Sequence, residues 1–465
     1  MENKKSDFSS WYNEIIDISG LSDKRYPIKG MNVWLPYGLK AMKSIDNIIR
    51  EHVDNSGFQE VQFPVLITRD QLSIEFEHVK GFENEVYWVT RGGMEPLDVE
   101  MALRPTSEAA MYGMFQLWVR AHTDLPLKIY QIVSVYRYET KHTRTFIRIR
   151  EIHFFEAHTA HTDYASAERQ MEEYRRIWNE ISSELCLPFI VDQRPDWDKF
   201  PGAMYTLAFD TAMPGGRSLQ IGTIHQYGEN FSKNYGIEYL KEDGTHSFVS
   251  QTTFGLSERL LAAIIGIHGD DTGLIFPPSI APVQVIIVPI PSEGTDTDGY
   301  AVRVKEYLSA AGFRAQIDSR DNYTPGFKFN EWEMKGVPLR IEVGGREVHD
   351  STVTLRLRTG GSRIKCNLTD VASEVSKALS SVKEILRKRA SDHFEKSMVD
   401  GDTIEKIKNG ESMFRFYWCG SRECSDHLEA DTGKTVLGMQ REMNSTGRCI
   451  ICGKEGNLAT ASTPY

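Results

Sequence analysis

The sequence predicts an α+β protein in three parts, and three observations predict it. Residues up to Phe276 mix strand patterns with helices. A Pro-rich stretch, "FPPSIAP", then gives way to alternating strand and helix, the signature of a small α/β domain with a mixed sheet. Finally, four of the six cysteines fall in the last fifty residues. The divisions are 1–276, 283–375 and 376–465.

In the first part, "EVQFPVLI", "LKIYQIVSVYRYE" and "TFIRIREIHFFEAH" read as strands. "YGLKAMKSIDNIIREHVDNSG" has helical spacing and a stop at Gly57. "TSEAAMYGMFQLWVRAH" is a helix expected to be capped by Thr106, with Glu108 in its first turn. "YASAERQMEEYRRIWNEISSELC" reads as a long polar helix, and "GLSERLLAAIIGIHG" as an apolar helix between glycines. "FPPSIAP" reads as a linker. In the second part "VQVIIVPI", "FRAQIDS", "VPLRIEVG" and "STVTLRLR" are strands, while "DGYAVRVKEYLSAAG" and "FKFNEWEMKG" are helices. A long helix, "VASEVSKALSSVKEILRKRASDHFEKSM", leads into the cysteine-rich tail.

The chain has 465 residues, 40% hydrophobic and 26% charged, so a full core is available. A formal net charge of −11 argues against a general polyanion binder but leaves room for a local basic surface. The N-terminus lacks a signal-peptide apolar core, which predicts an unexported, cytoplasmic protein. The longest apolar runs are too short to span a bilayer, so no membrane association is expected.

The chemistry concentrates in "YRYETKHTRTFIRIREIHFFEAHTAH". Arg137 and Glu139 lie two apart, as do Arg148 and Arg150, so on strands each pair shares a face. Arg137 and Glu139 pairing with each other is the bland reading. A hairpin with cations on one face and a basic tip favours bidentate phosphate binding, with a nucleoside triphosphate as the economical partner. Phe146 offers a ring to a base or, equally, to the core. Arg259 opens an apolar helix, where a cation is misplaced unless it reaches a bound anion. In the tail, Cys419 and Cys424 bracket a Gly-containing loop, and Cys449 and Cys452 form a C-x-x-C knuckle. Four thiolates at that spacing suit a closed, structural Zn²⁺ site; the alternative is four reduced thiols without metal.

Taken together, the Pro64 segment, the Arg-x-Glu hairpin and the Gly-Leu-Ser-x-Arg strand–helix resemble the three motifs of class II aminoacyl-tRNA synthetases. "LRPTSEAAMY", the hairpin stretch, "LQIGTIHQYGENFSK" and "TTFGLSERLLAAIIGIHGDDTGLIFPPSIAP" narrow the resemblance to prolyl-tRNA synthetases of the archaeal/eukaryotic-like type, over nearly the whole chain. The resemblance implies an antiparallel-sheet catalytic domain, an α/β anticodon-binding domain and a small zinc-binding C-terminal domain. It also implies ATP-dependent activation of L-proline and transfer to tRNA(Pro), with Mg²⁺ assisting and Zn²⁺ structural.

By the same resemblance, Thr106 and Glu108 contact the proline nitrogen, and Glu156, His158 and His225 line the amino-acid pocket. Arg137 holds the α-phosphate and the proline carboxylate, and Arg259 the γ-phosphate; these two are the expected catalytic cations. Glu139 reaches the adenine amino group, Phe146 stacks on adenine, and Arg148, the Ile149 backbone, Gln220, Thr223 and Ser257 complete the ATP site. Gln220 is also placed near Mg²⁺. His161 is left structural. The motif around Pro64 implies a homodimer, and Tyr465 is expected either to fold back toward the active site or to fray. Arg356, Arg358, Arg363, Lys365, Lys328, Phe329 and Trp332 suggest an RNA-facing surface. The interval before the third motif leaves no room for a separate editing domain. Phe154 stands where the family commonly has Trp, Ile224 where it often has Ser, and "EVGGREV" where it usually has Gly-Pro-Arg-Asp. A catalytically silent paralogue would be expected to lose Arg137, Glu139 or Arg259, all present here. A threonyl- or glycyl-specific enzyme fits "RPTSE" and "EAHTAH" poorly.

Overall fold

The computed structural model describes residues 3–4, 6–76, 82–441, 443 and 445–465. Its first part supplies seven strands to the largest sheet: β1 (Gln59–Glu60), β2 (Leu127–Tyr136), β3 (Glu151–His161), β4 (Ile190–Gln193), β5 (Tyr205–Met213), β6 (Arg217–Gly228) and β7 (Ser250–Ser257). They lie in the order β4-β5-β6-β7-β3-β2-β1, antiparallel except for the β1–β2 edge. The period of two sorts β3 cleanly. Phe155 and Ala157 enter the main core, while Phe154, Glu156 and His158 face a cavity on the other side.

Helix α1 (Tyr164–Leu185) covers the core face of this sheet. Its entry is fixed by the Asp163 side chain, which accepts from the Ser166 N–H at 2.6 Å. The helix is less polar than its composition suggests, because Tyr174, Ile177, Trp178 and Ile181 form a fully buried stripe. Trp178 stacks on Phe209 with centroids 5.0 Å apart. Helix α2 (Arg259–His268) lies buried on nearly all sides, as its sequence requires.

The second part forms a mixed sheet of β8 (Val285–Pro289), β9 (Ala315–Ile317), β10 (Leu339–Val343), β11 (Thr352–Leu357) and β12 (Ile364–Asn367), in the order β9-β8-β10-β11-β12. The first three are parallel and the last two antiparallel. A short helix at Gly345–Asp350 and strand β12 are additions to the sequence reading. "FPPSIAP" is no free linker: Ile280 and Ala281 are fully buried in the core of the first part. Helix α3 (Val371–Ser397) runs unbroken across the expected 375/376 division. Its first turns pack on the second sheet through Val371 and Val375, its middle on Cys186 and Ile275 through Val382 and Leu386.

The tail does not form a separate sheet. Strands β13 (Met398–Asp400), β14 (Met413–Trp418), β15 (Thr435–Gln440), β16 (Thr446–Arg448) and β17 (Glu455–Pro464) extend the large sheet to twelve strands among the described residues, in the order β13-β14-β17-β15 before β4. β16 pairs with β17, and the end of β17 also pairs with β6 at Arg217 and Ser218. Gly438 permits the junction of β15 with β4: its φ is +155°, and a Cβ there would lie 2.2 Å from the Gln193 carbonyl oxygen.

Candidate functional site

A cavity of about 580 Å³ opens over the middle of the large sheet. Strand register assembles it in rows. His158, Thr253 and His225 are cross-strand neighbours on β3, β7 and β6, and so are Glu156, Gly255 and Thr223. Phe209 opposes Gly222 while Asp210 opposes Gln220, so β6 carries one extra residue at Ile221. That bulge lets Gln220 and Thr223, three apart, border the same space. Gly255 keeps the row open; a Cβ there would lie 3.0 Å from the Phe154 ring.

One end is acidic and buried. Glu156 accepts hydrogen bonds from Ser107 Oγ and from Gln131 Nε2 at 3.0 Å, and lies 3.4 Å from His158 Nε2. Burial works to raise the Glu156 pKa, but bonds from His158, Ser107 and Gln131 outweigh it and hold the carboxyl below its usual range. Thr106 Oγ1 donates to Glu108, whose other oxygen accepts from Tyr227 OH at 2.9 Å. Thr106 therefore serves the cavity and not the helix Glu108–Trp118, whose N-cap is Ser107 with no side-chain capping bond. His225 shares a 2.9 Å hydrogen bond between Nδ1 and Thr206 Oγ1, and its ring lies 4.8 Å from that of Phe200. Burial drives its pKa down to about 3, with His158 adding to the effect, so it is neutral at physiological pH.

The other end is cationic. Arg137, Arg148 and Arg259 all border the cavity. Arg137 Nε donates to the Pro105 carbonyl at 3.2 Å. Arg259 Nε donates to the Ile147 carbonyl at 2.9 Å, and its Nη1 to the Gln220 carbonyl at 3.3 Å. Burial lowers the Arg259 pKa to about 10, only partly offset by Glu258, and the nearby Arg137 and Arg148 push in the same direction. Three guanidiniums bordering one cavity, two of them held in place by backbone carbonyls, make a surface suited to an anion.

Thr106, Glu108, Arg137, Glu139, Arg148, Ile149, Glu156, His158, Gln220, Thr223, His225, Ser257 and Arg259 border this one cavity. Three details differ from the sequence reading. Arg137, Glu139, Arg148 and Arg150 lie in the connection between β2 and β3, because regular pairing stops at Tyr136 and resumes at Glu151. Glu139 pairs with Arg148, at 3.3 Å, rather than with Arg137 in the bland reading. Phe146 does not border the cavity: a φ of +62° turns it inward, and its ring packs 4.6 Å from that of Trp34. Ile152 and Phe154 border the cavity instead. His161 is held by Thr159 and Ser166, as a structural histidine should be.

Sequence reasoning missed Arg194, Trp197, Lys199 and Phe200, which form a further wall. Arg194 is buried and pairs with Asp210 at 2.8 Å. Only the fold brings these residues near the motifs, so no local signal marked them. Tyr465 packs back onto the body: Arg148 Nη2 lies 3.4 Å from its main-chain oxygen, and Arg217 sits 4.2 Å from its ring centroid.

Three residues of the RNA-facing set are engaged within the protein instead. Arg358 is held by Asp270, Lys328 donates to the Asp318 carbonyl at 3.0 Å, and Trp332 Nε1 donates to Asp318 at 2.8 Å. Exposed Tyr323 and Phe327 instead stack on each other at 4.5 Å, with Arg320 4.8 Å from the Tyr323 ring.

In the tail, the thiol sulfurs of Cys419, Cys424, Cys449 and Cys452 all lie within 4.8 Å of one another. Cys419 is 3.6 Å from Cys424 and 3.7 Å from Cys452. Sulfurs about 2.3 Å from a tetrahedral zinc would stand roughly 3.8 Å apart, so the set fits Zn²⁺.

Three family profiles match the chain: tRNA synthetase class II core domain (G, H, P, S and T) over residues 87–268, anticodon binding domain over 284–378, and prolyl-tRNA synthetase, C-terminal, over 401–461. The proline–tRNA ligase of Thermoplasma volcanium is 64% identical, with both chains covered completely. The chain belongs to the prolyl-tRNA synthetases. The proline–tRNA ligase of Thermococcus kodakarensis is 50% identical, with 98% of each chain covered. Among solved structures, Giardia lamblia prolyl-tRNA synthetase in complex with prolyl-adenylate superposes with a TM-score of 0.95 at 33% identity, covering 100% of this chain and 99% of the other. The Cryptosporidium parvum prolyl-tRNA synthetase complexed with halofuginone and AMPPNP gives 0.95 at 32%, with the same coverage. Membership in the prolyl-tRNA synthetases carries ATP-dependent ligation of proline to tRNA. The interval 162–249 holds α1, strands β4–β6, a short helix and a small hairpin. Among the described residues, no helix is long and apolar enough to cross a membrane.

Proposed function

We propose that this cavity activates L-proline with ATP and then delivers it to tRNA(Pro), its two ends dividing the substrates by charge. The observation that carries the assignment is the single cavity bordered by Glu108, Glu156 and His158 at one end and Arg137, Arg148 and Arg259 at the other. The secondary ammonium of proline sits between Thr106 and Glu108, with Glu156, His158 and neutral His225 closing the pocket. Glu139, Arg148, the Ile149 backbone, Gln220, Thr223 and Ser257 hold ATP, and Ile152 takes the wall position expected of Phe146. The proline carboxylate oxygen attacks the α-phosphorus in line, the bond to the β-phosphate oxygen breaks, and pyrophosphate leaves. Arg137 and Arg259 neutralise the developing charge. The Gln220 side-chain oxygen, already accepting from Arg194 at 3.3 Å, is a hard donor suited to Mg²⁺. Mg²⁺ would supply further neutralisation of the phosphates. The terminal tRNA hydroxyl then attacks the prolyl carbonyl carbon and AMP leaves. Among these residues none is placed as a covalent nucleophile.

Tyr323 and Phe327 offer a stacking platform for unpaired tRNA bases. Zinc at the four cysteines is structural, since four thiolates fill the shell. Exposed Val65, Leu66, Val99, Leu117 and Trp118 suit a homodimer contact around the Pro64 motif. A cytoplasmic location suits an enzyme that charges tRNA. The test is proline-dependent ATP–pyrophosphate exchange by Arg137→Ala and Arg259→Ala. Each loses on the order of 3–4 kcal/mol of transition-state stabilisation. Wild-type rates in either variant would refute the assignment. The mass in dilute solution tests the dimer, and a mass of one chain would refute it.

A further inference from the structure

The wall missed by sequence reasoning, residues 194–203, lies between the proline end of the cavity and the cysteine-rich tail. Its start is anchored by Arg194, whose Nη1 donates to the Leu437 carbonyl of β15 at 2.8 Å. Its end carries Phe200, whose ring meets that of His225 and whose N–H donates to Thr206 Oγ1 at 2.9 Å. The side chains of Asp196 and Asp198 between these anchors are 88% and 61% exposed. The middle of the loop carries Trp197, which borders the cavity and also reaches the tail. Its ring meets the Trp418 ring edge-on at 5.9 Å, and Arg422 lies 5.7 Å from its centroid. Trp418 is buried at the end of β14 and immediately precedes the thiol ligand candidate Cys419.

We propose that Trp197 is a positioning residue: by docking on Trp418 it fixes the loop that presses Phe200 against His225, and so sets how tightly the pocket closes on the proline ring. This rests on the proline-pocket reading above. A large indole left 38% exposed, between the mostly exposed side chains of Asp196 and Asp198, is poorly placed for stability alone. Its contact is with another structural unit, and the far end of the same short loop contacts the pocket histidine. A pocket wall displaced by a fraction of an ångström loses shape selection for a ring. It loses much less for alanine, which makes few contacts with that wall.

The test compares Trp197→Ala, Trp197→Phe and Trp418→Phe in ATP–pyrophosphate exchange with proline and with alanine. Trp197→Ala should raise the proline KM roughly tenfold and lower the proline-to-alanine ratio of kcat/KM by a similar factor. The ATP KM should stay unchanged, and Trp197→Phe should restore most of the ratio. In a Trp197→Ala, Trp418→Phe double variant the losses should not add. Equal losses with proline and alanine, or Trp197→Phe as impaired as Trp197→Ala, would overturn the proposal. So would an unchanged proline KM. Wild-type enzyme with no proline-dependent exchange would instead overturn the pocket reading on which it rests. Trp197→Phe keeps the proposal falsifiable should the alanine variant fail to fold.

Discussion

Arg358 grips Asp270 with two hydrogen bonds, 2.9 Å from Nη1 and 2.6 Å from Nη2, and so ties the second domain to the catalytic one. The Arg358 side chain is 3% exposed, whereas that of Asp270 is 44% exposed. Burial works to raise the Asp270 pKa, but the bonds from Arg358 outweigh it and hold the carboxyl below its usual value. That stabilisation is present above the ordinary carboxylate range and is lost as pH falls through it. Arg358→Ala should cost about 1–2 kcal/mol, discounted for the exposed partner, and lower the unfolding temperature. Calorimetry of wild type and variant checks this, and the difference should shrink below about pH 4.

Glu258 gives the opposite pH dependence. It is buried between His153 and Arg259, and burial lifts its pKa from 4.5 to about 7 despite their countervailing charge. Between those values the folded protein holds a proton that the unfolded chain releases. Stability from this group is therefore full below the lower value and is lost as pH rises through the upper. Glu258→Gln should match wild type in denaturant midpoint near pH 5 and exceed it near pH 8. A constant difference would contradict the assignment.

Glu156 is buried yet held ionised by its donors. Glu156→Gln keeps the shape and removes one carboxylate charge from the proposed proline pocket. The proline KM should rise roughly ten- to hundredfold, with the ATP KM nearly unchanged. Steady-state exchange at varied proline and at varied ATP separates the two.

The strand carrying Glu156 and His158 was legible because its period of two survives in the fold, whereas His225 was legible only through its motif, on a strand whose bulge at Ile221 breaks the period. Arg137 and Arg148 were legible as residues but not as strand positions, since pairing stops where the chain turns out to line the cavity. Phe146 misled because periodicity cannot show a positive φ. Arg358 and Trp332 misled because a cation or an aromatic reads alike whether it faces RNA or a neighbouring domain. Joining of the tail to the large sheet depends on contacts such as Gln193 with Met439, far apart in sequence, which no local pattern encodes.

The four-cysteine cluster predicts a second dependence. Protein purified without chelator should carry one zinc per chain. Stripping it should release the knuckle around Cys449 and Cys452 and lower the unfolding temperature, with recovery on adding zinc back. Metal analysis beside calorimetry checks this, and well under one atom per chain would contradict the metal assignment.

The most direct test of the central claim is amino-acid-dependent ATP–pyrophosphate exchange measured across all twenty amino acids. The proposed proline pocket predicts strongest exchange with proline and weaker exchange with alanine and cysteine, which a small pocket rejects only partly. Absence of exchange with every amino acid, from folded protein, would contradict it.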